Sequence, residues 1–157
     1  LKGEVVFTVH GPAVDPGYLE RCKQLARQLP SNIRVEFRGP LAHEQVLDRL
    51  ALQHVFLLPT VGESFSHAIL ESLLAGCVPI ISDQTPWRDL ARAGAGWDLP
   101  LADEAAFVRA LQTCVDIGEE EFAARSAAAR AMGVAAAAST AALEDNRALF
   151  EALRASG

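Results

Sequence analysis

The sequence predicts an α/β protein with a doubly wound parallel sheet and extra helices at its carboxyl end. Short apolar runs rich in β-branched residues alternate with segments whose apolar residues recur at helical spacing. One run, residues 55–58, is apolar without interruption, which is typical of a parallel strand covered on both faces. Such alternation favours parallel pairing through right-handed crossovers, and this arrangement places ligand sites at the carboxyl ends of the strands.

The predicted elements follow one another without a repeat or a low-complexity linker, so we expect a single domain over residues 1–157. The predicted strands cover residues 5–9, 33–37, 55–58, 78–81 and, very short, 94–97. The predicted helices cover 18–29, 43–50, a segment ending at Ala75, a segment opened by Pro86 and, in a helical part over 104–157, residues 104–117, 119–131 and 134–154. Gly76 is a natural helix stop, and Pro79 favours an early or edge position in its strand.

The composition excludes several classes of protein. Half of the 157 residues are apolar and 22% are charged, which is a globular balance. The net charge of −6 argues against a nucleic-acid partner, and no apolar run approaches the roughly 18 residues of a membrane span. The three cysteines predict reduced thiols in a reducing compartment, which fits the expected cytoplasmic location, and no His/Cys grouping favours a metal. The start at Leu1, without a signal peptide, predicts a piece of a longer protein.

The most informative stretch, residues 62–71, carries two carboxylates around a predicted helix start. Glu63 lies in the loop after a buried strand, Ser66 is the predicted N-cap, and Glu71 falls in the first turns of the helix. Free backbone N–H groups at a helix start favour an anion, and a carboxylate accepts hydrogen bonds from sugar hydroxyls. The spacing alone favours a simpler interpretation, in which Glu63 stabilises the helix end and Glu71 is solvated. The apolar neighbours of Glu71 and the strand before the loop argue for a ligand with a phosphate and vicinal hydroxyls.

A longer motif adds a family resemblance. Glu-x7-Glu after a strand and a proline, followed by Leu-Leu-Ala-Gly-Cys-Val-Pro-Ile-Ile-Ser-Asp, resembles the carboxyl-terminal, donor-binding domain of GT-B glycosyltransferases of family 4 (group 1). The likeness is densest over residues 55–100 and includes residues 83–87, Asp-Gln-Thr-Pro-Trp. Residues 4–41 also fit, with Gly-Pro pairs at 11–12 and 39–40 closing consecutive strands. The resemblance implies a Rossmann-like half of a two-domain enzyme.

The resemblance also implies roles for individual residues. Glu71 would accept hydrogen bonds from ribose hydroxyls, and Glu63 would be the catalytic residue that touches the transferred sugar near the reacting centre. The other implied donor contacts are the backbone amides of Phe65, Ser66, His67 and Ala68 at the sugar and diphosphate, Arg38, Gly39, Pro40 and Leu41 along the base, and Gly11. The donor would be a nucleoside diphosphate sugar, bound with no metal and no other cofactor.

The chain departs from the family pattern in three ways. Ser66 stands where the family usually has glycine, so the backbone would approach the sugar differently. Family members carry an Arg and a Lys upstream of the first strand seen here; Lys2 abuts that strand directly, and we do not transfer the role to it. From the resemblance we also expect that this chain lacks the first strand–helix unit of the domain and the amino-terminal acceptor domain. We therefore expect half of an active site, inactive alone.

The resulting prediction is the donor domain of a retaining, hexosyltransferase-type enzyme of bacterial polysaccharide or lipopolysaccharide biosynthesis. The expected partners are the nucleotide-sugar donor, a hydroxyl acceptor held mainly by the missing domain, a second copy through the carboxyl-terminal helices, and the inner face of the membrane. One alternative is a non-catalytic sugar-nucleotide sensor of the same fold, which the serine in place of glycine at Ser66 favours. The other is a dinucleotide oxidoreductase, which would need GxGxxG where the first strand ends in His10-Gly11-Pro12.

The two tryptophans leave a choice between ligand stacking and packing. Both a sugar and a base can stack on an aromatic face, but tryptophans more often anchor a core. We expect packing for Trp97 and leave both roles open for Trp87, which follows a strand end.

Overall fold

A computed structural model describes residues 1–139 and confirms the α/β architecture with parallel strands. Every strand pair in this part of the chain is parallel. The strands are β1 (Val5–His10), β2 (Ile33–Gly39), β3 (Val55–Leu58), β4 (Val78–Ser82) and β5 (Trp97–Leu99). The helices are α1 (Pro16–Ala26), α2 (Val46–Leu50), α3 (His67–Ala75), α4 (Glu104–Asp116) and α5 (Glu119–Ala138), with a 3₁₀ turn at His43–Gln45 before α2.

The first crossover, from β1 through α1 to β2, has clear start and stop signals. The Asp15 carboxylate caps α1 by accepting from the Tyr18 amide at 2.9 Å, and Pro16 occupies the first helical position. The helix ends at Ala26 rather than at residue 29, because the amides of Gln28 and Leu29 donate to carbonyls three residues before them instead of four. Pro30 favours this ending, since it disfavours helical backbone in the residue before it.

Strand β4 lies between β3 and β5 and is buried along its whole length. The predicted edge position of Pro79 is therefore wrong, although its early position is right. Pro79 lies opposite Phe56 of β3, while pairing with β5 starts only at the next residue, Ile80. Gly96 leaves room for the proline, because a Cβ at Gly96 would lie 2.8 Å from the Pro79 ring.

The segment after β4 corrects another expectation, since Pro86 opens no helix. The Asp98 carboxylate accepts from the amides of Asp89, at 3.3 Å, and Leu90, at 3.0 Å. Asp89 has a φ of 60°, which a regular helix does not allow. These contacts confine residues 90–94 to turns, and the fifth strand begins at Trp97 instead of residue 94.

Helix α5 replaces two predicted helices over the described residues. It runs through Gly133, between the predicted segments 119–131 and 134–154, because that glycine packs against the backbone of α3. Residues 140–157 of the second segment lie outside the described part of the chain.

The core has two parts, one on each face of β4. Ile81 packs with Ile69 and Leu73 of α3 and with Ala129 of α5, whereas Ile80 points to the opposite face and packs with Phe107 of α4. Helices thus cover both faces of the part of the sheet formed by β3, β4 and β5, as expected for a doubly wound fold.

The sheet is divided into two pieces, β1–β2 and β3–β4–β5. Cavities of about 560 and 580 Å³ lie between β1 and β3. Every residue from Val6 to His10 of β1 and from Val55 to Leu58 of β3 lines the second cavity. Successive side chains of a strand point to opposite faces of the sheet, so a cavity lying against one face would be lined only by every second residue. The strand edges therefore face the gap, and Val6, beside it, is 51% exposed.

Candidate active site

The loop between β3 and α3 holds its last residue in an uncommon backbone conformation. Ser66 has φ 61° and ψ 88° at the N-cap of α3, so its predicted position is right. Its hydroxyl makes no capping hydrogen bond, whereas its carbonyl accepts from the amides of Ile69 and Leu70, at 3.1 and 3.3 Å. Left-handed backbone favours glycine, which explains physically why glycine suits this position and why serine is strained there.

Glu71 projects from α3 toward the loops at the ends of β1 and β2. Its side chain is 18% exposed, so it is not the fully solvated carboxylate of the simpler interpretation. Its Oε1 lies 3.5 Å from Nδ1 of His43, an exposed residue of the 3₁₀ turn. The Glu71 carboxylate is therefore available to a ligand that displaces or joins an exposed imidazole.

The cavity of about 580 Å³ collects residues from the strand ends and from α2 and α3. Of the residues predicted from the sequence, it brings together Gly11, Pro40, Leu41, Ala68 and Glu71. This cluster forms because parallel strands place their carboxyl ends, and the loops that follow them, at one edge.

The other predicted residues lie outside the lining of this cavity. Glu63, Phe65, Ser66 and His67 belong to the loop and helix start beside Ala68. The Glu63 amide donates to the Gln84 carbonyl at 3.1 Å, which joins this loop to the segment after β4.

Arg38 and Gly39, at the end of β2, serve local contacts. The Arg38 guanidinium donates to the Glu36 carboxylate at 2.6 and 3.0 Å, and it holds the pKa of that carboxyl below its usual value. The Gly39 carbonyl accepts from the Gly11 amide at 3.1 Å. Gly39 thus ties together the two strand-end loops that border the cavity.

Four polar residues of the cavity were missed from the sequence: Thr8, His10, Arg49 and Gln53. His10 directly precedes the Gly-Pro pair that ends β1, which is a signal that could have identified it. Arg49 had no comparable signal, because it lies on a short helix whose apolar residues dominate the pattern.

The choice left open for Trp87 is resolved in favour of packing. Its side chain is buried, and its indole Nε1 donates to the Phe65 carbonyl at 2.7 Å. The Phe65 ring lies 5.9 Å from Trp87 and remains 41% exposed. Trp97 packs as expected, with the Arg125 guanidinium 4.8 Å from its ring centre. Trp87 thus holds the loop that carries Phe65 and Ser66.

A comparison with protein families relates this geometry to a known family. Residues 1–131 match the family described as glycosyl transferases group 1. The chain belongs to this family. The match covers the complete cavity and the loop before α3, so this glycosyltransferase domain has its candidate site within the matched region. A comparison with curated proteins finds no match.

Among residues 1–139 of this glycosyltransferase domain, no group of three or more His, Cys, Asp or Glu residues could hold a metal ion. Among the same residues, no helix is both long and apolar enough to cross a membrane. The three cysteines are free thiols, and Cys77 donates to the Leu50 carbonyl at 3.0 Å.

Proposed function

We propose that this glycosyltransferase domain binds the nucleoside diphosphate sugar donor of a retaining enzyme, and that Glu71 receives the ribose. The observation that carries the proposal is the half-buried Glu71 carboxylate facing a cavity formed by the strand-end loops. A carboxylate offers two oxygens, and two vicinal hydroxyls each donate one hydrogen bond to it. Cavities at the carboxyl ends of parallel strands are the usual ligand sites of such sheets.

The loop before α3 is proposed to receive the sugar and the diphosphate. Helix α3 begins directly after this loop, and its first backbone amides are free to meet negative charge. Amides fixed in this way stabilise the charge that develops as the nucleoside diphosphate leaves. Glu63 lies in this loop as the proposed catalytic residue at the transferred sugar, and the reaction is proposed to need no metal.

The gap between β1 and β3 supports the proposal that the domain includes one more parallel strand, which would fill the space between these two strands and leave the loops at their carboxyl ends to the ligand. Both edges carry backbone groups that the neighbouring strands leave unpaired, and Val5, Val6 and Phe7 line the gap with apolar side chains. We assign this strand, with its helix, to polypeptide that precedes Leu1. An acceptor domain would complete the site, so this domain alone is expected to transfer no sugar.

The finer identity of the enzyme stays a prediction from the family resemblance. It includes transfer of a hexose to a hydroxyl acceptor in bacterial polysaccharide or lipopolysaccharide biosynthesis. It also includes a cytoplasmic location at the inner face of the membrane and pairing of two copies through the carboxyl-terminal helices.

The test of the donor site is an amide NMR titration with UDP, GDP, ADP and CMP. We expect one nucleotide to give saturable shifts at Gly39 and over residues 65–71. Glu71→Gln removes the charge but keeps the shape, and we expect it to weaken that nucleotide about 10- to 100-fold, since a hydrogen bond to a charged group contributes about 1.5–3 kcal/mol. Glu44→Gln, on the exposed 3₁₀ turn, is the matched control and should leave the affinity unchanged. Equal affinities of the wild type and Glu71→Gln would contradict the role of Glu71.

A second candidate function, a sugar-nucleotide sensor without transferase activity, is favoured by the strained Ser66. The two functions differ in a transfer assay on the protein with its acceptor domain. The enzyme should release product with the anomeric configuration of the donor, whereas the sensor should bind donor without turnover. Product with only the inverted configuration would contradict the retaining mechanism.

A further inference from the structure

The loop before α3 is fastened at two points to the segment that follows β4. The Glu63 amide donates to the Gln84 carbonyl at 3.1 Å, and the Trp87 indole Nε1 donates to the Phe65 carbonyl at 2.7 Å. Trp87 is itself fixed, because its side chain is only 9% exposed and packs in the core with Ile81. Trp87 does not line the cavity of the candidate site, so it can act on a ligand only through the loop.

The hydrogen bond from Trp87 sets the direction of the peptide group that joins Phe65 to Ser66. This peptide is trans and planar, so its carbonyl and its N–H point in opposite directions. Because the buried indole holds the carbonyl, the Ser66 N–H points away from the indole. It donates to no backbone carbonyl among residues 1–139, and the next two residues, His67 and Ala68, are exposed. The Ser66 N–H is therefore free at the start of α3, where the helix dipole favours an anion.

The backbone of Ser66 opposes this orientation of the peptide. Its φ of 61° is strained for a residue with a Cβ. Turning the Phe65–Ser66 peptide over would bring this φ to negative values, where serine is unstrained, but it would also reverse the directions of the N–H and the carbonyl. A carbonyl oxygen cannot bind a phosphate oxygen, because both are acceptors. The hydrogen bond from Trp87 thus holds the orientation that suits an anion and that serine by itself disfavours.

We propose that Trp87 is a positioning residue of the donor site, which holds the Phe65–Ser66 peptide so that the Ser66 N–H meets the phosphate next to the transferred sugar. The inference rests on the proposed donor-binding function and deepens it, because it names the group that orients the loop receiving the diphosphate. It also explains how the chain keeps a serine where the backbone favours glycine.

The experiment compares nucleoside diphosphates with monophosphates, UDP with UMP and GDP with GMP, by amide NMR titration. The ratio of the two dissociation constants measures the contribution of the β-phosphate, which carries the sugar in the donor. Trp87→Phe keeps an aromatic ring but loses the N–H. We expect it to reduce this ratio about five- to tenfold, while the monophosphate binds within about twofold of the wild type.

Trp97→Phe, the same substitution at the other tryptophan, is the matched control and should leave the ratio unchanged. Urea unfolding of both variants measures the cost to the fold separately from the ratio. A Trp87→Phe variant that is less stable but keeps the wild-type ratio would show that Trp87 has a structural role alone.

A double variant tests why the hydrogen bond is needed. Glycine adopts positive and negative φ about equally, so Ser66→Gly removes the preference for the turned-over peptide. In the Ser66→Gly background, Trp87→Phe should therefore reduce the ratio less than about twofold. An undiminished loss in that background would overturn the role of Trp87 in orienting this peptide.

The wild-type protein gives a test that depends on no variant. Its Ser66 amide should shift with the diphosphate and much less with the monophosphate. Diphosphate shifts around Glu71 without a change at the Ser66 amide would overturn this inference and leave the donor site standing. If no nucleotide shifts the amides around Glu71, the donor-binding proposal fails and the role of Trp87 fails with it.

Discussion

Ser66 shows how one residue type can conflict with the backbone that its position requires. Its predicted place at the start of α3 was right, but its expected capping hydrogen bond is absent. The loop enters the helix with φ 61°, and the serine Cβ is strained in this region. Trp87 holds the loop through the Phe65 carbonyl, so the tertiary contact outweighs the local preference of serine.

The strain at this residue leads to a stability prediction. Ser66→Gly should raise the free energy of unfolding by about 0.5–1 kcal/mol, because relief of left-handed strain exceeds the added entropy of the unfolded chain. The measurement is equilibrium unfolding in urea. Ser64→Gly is the control: Ser64 has no positive φ, so glycine there should lower stability by about 0.4–1 kcal/mol. If both substitutions lowered the free energy of unfolding by similar amounts, Ser66 would be unstrained.

At the scale of elements, helix α5 illustrates the limit of local signals. A glycine near the middle of an alanine-rich segment predicts a break, since glycine is a poor helix former. The helix continues because a Cβ at Gly133 would lie 2.9 Å from the Leu74 backbone nitrogen and 3.0 Å from the Leu73 carbonyl carbon. Gly133 is therefore the residue that lets α5 approach α3.

This contact predicts the sign of a substitution that helix propensity alone would get wrong. Gly133→Ala should lower the free energy of unfolding by about 1–3 kcal/mol, because the backbone of α3 cannot move aside as a flexible side chain would. Val134→Ala, at the next and 55% exposed position, should change it by less than about 0.5 kcal/mol. Thermal and urea unfolding measure both. A stabilised Gly133→Ala variant would mean that the two helices separate at no cost.

For the molecule as a whole, the divided sheet is the feature that sequence periodicity did not predict. Each strand was located within a few residues, yet the pairing between strands is long-range and left β1 and β3 with facing, unpaired edges. Hydrogen exchange on the protein with and without the proposed strand and helix before Leu1 tests this addition. The unpaired amides of β1 and β3 should exchange at least about tenfold more slowly in the longer protein. Amides of β4, already paired on both sides, are the control; equal rates at β1 and β3 would exclude the strand.

Alkaline stability is also a property of the whole molecule. Burial raises the pKa of both the Cys77 and Cys114 thiols from 9.0 to about 11. Between about pH 9 and pH 11 the folded state therefore keeps these two protons, whereas the unfolded state releases them. The contribution of the two thiols to the free energy of unfolding is complete below about pH 9 and is lost as the pH rises to about 11.

Urea unfolding between about pH 8 and 11 measures this dependence. Replacing Cys77 and Cys114 together by alanine should reduce the loss of stability with pH. Cys22→Ala should keep it, because burial raises the pKa of the other two thiols. Identical pH profiles for the double variant and the wild type would contradict the assignment.

Local patterns in the sequence were sufficient for the α/β class, for β3, for the Gly76 helix end and for the family. Each of these depends on neighbouring residues: an uninterrupted apolar run, a left-handed glycine after a helix, or a motif before α3. The tertiary structure decided the rest, including the central position of Pro79, the continuity of α5, the strained backbone of Ser66 and the meeting of the strand-end loops with Glu71 around one cavity. The physical reason is that these depend on contacts between residues far apart in the chain, where close packing and unpaired polar groups outweigh the local preferences that a sequence displays.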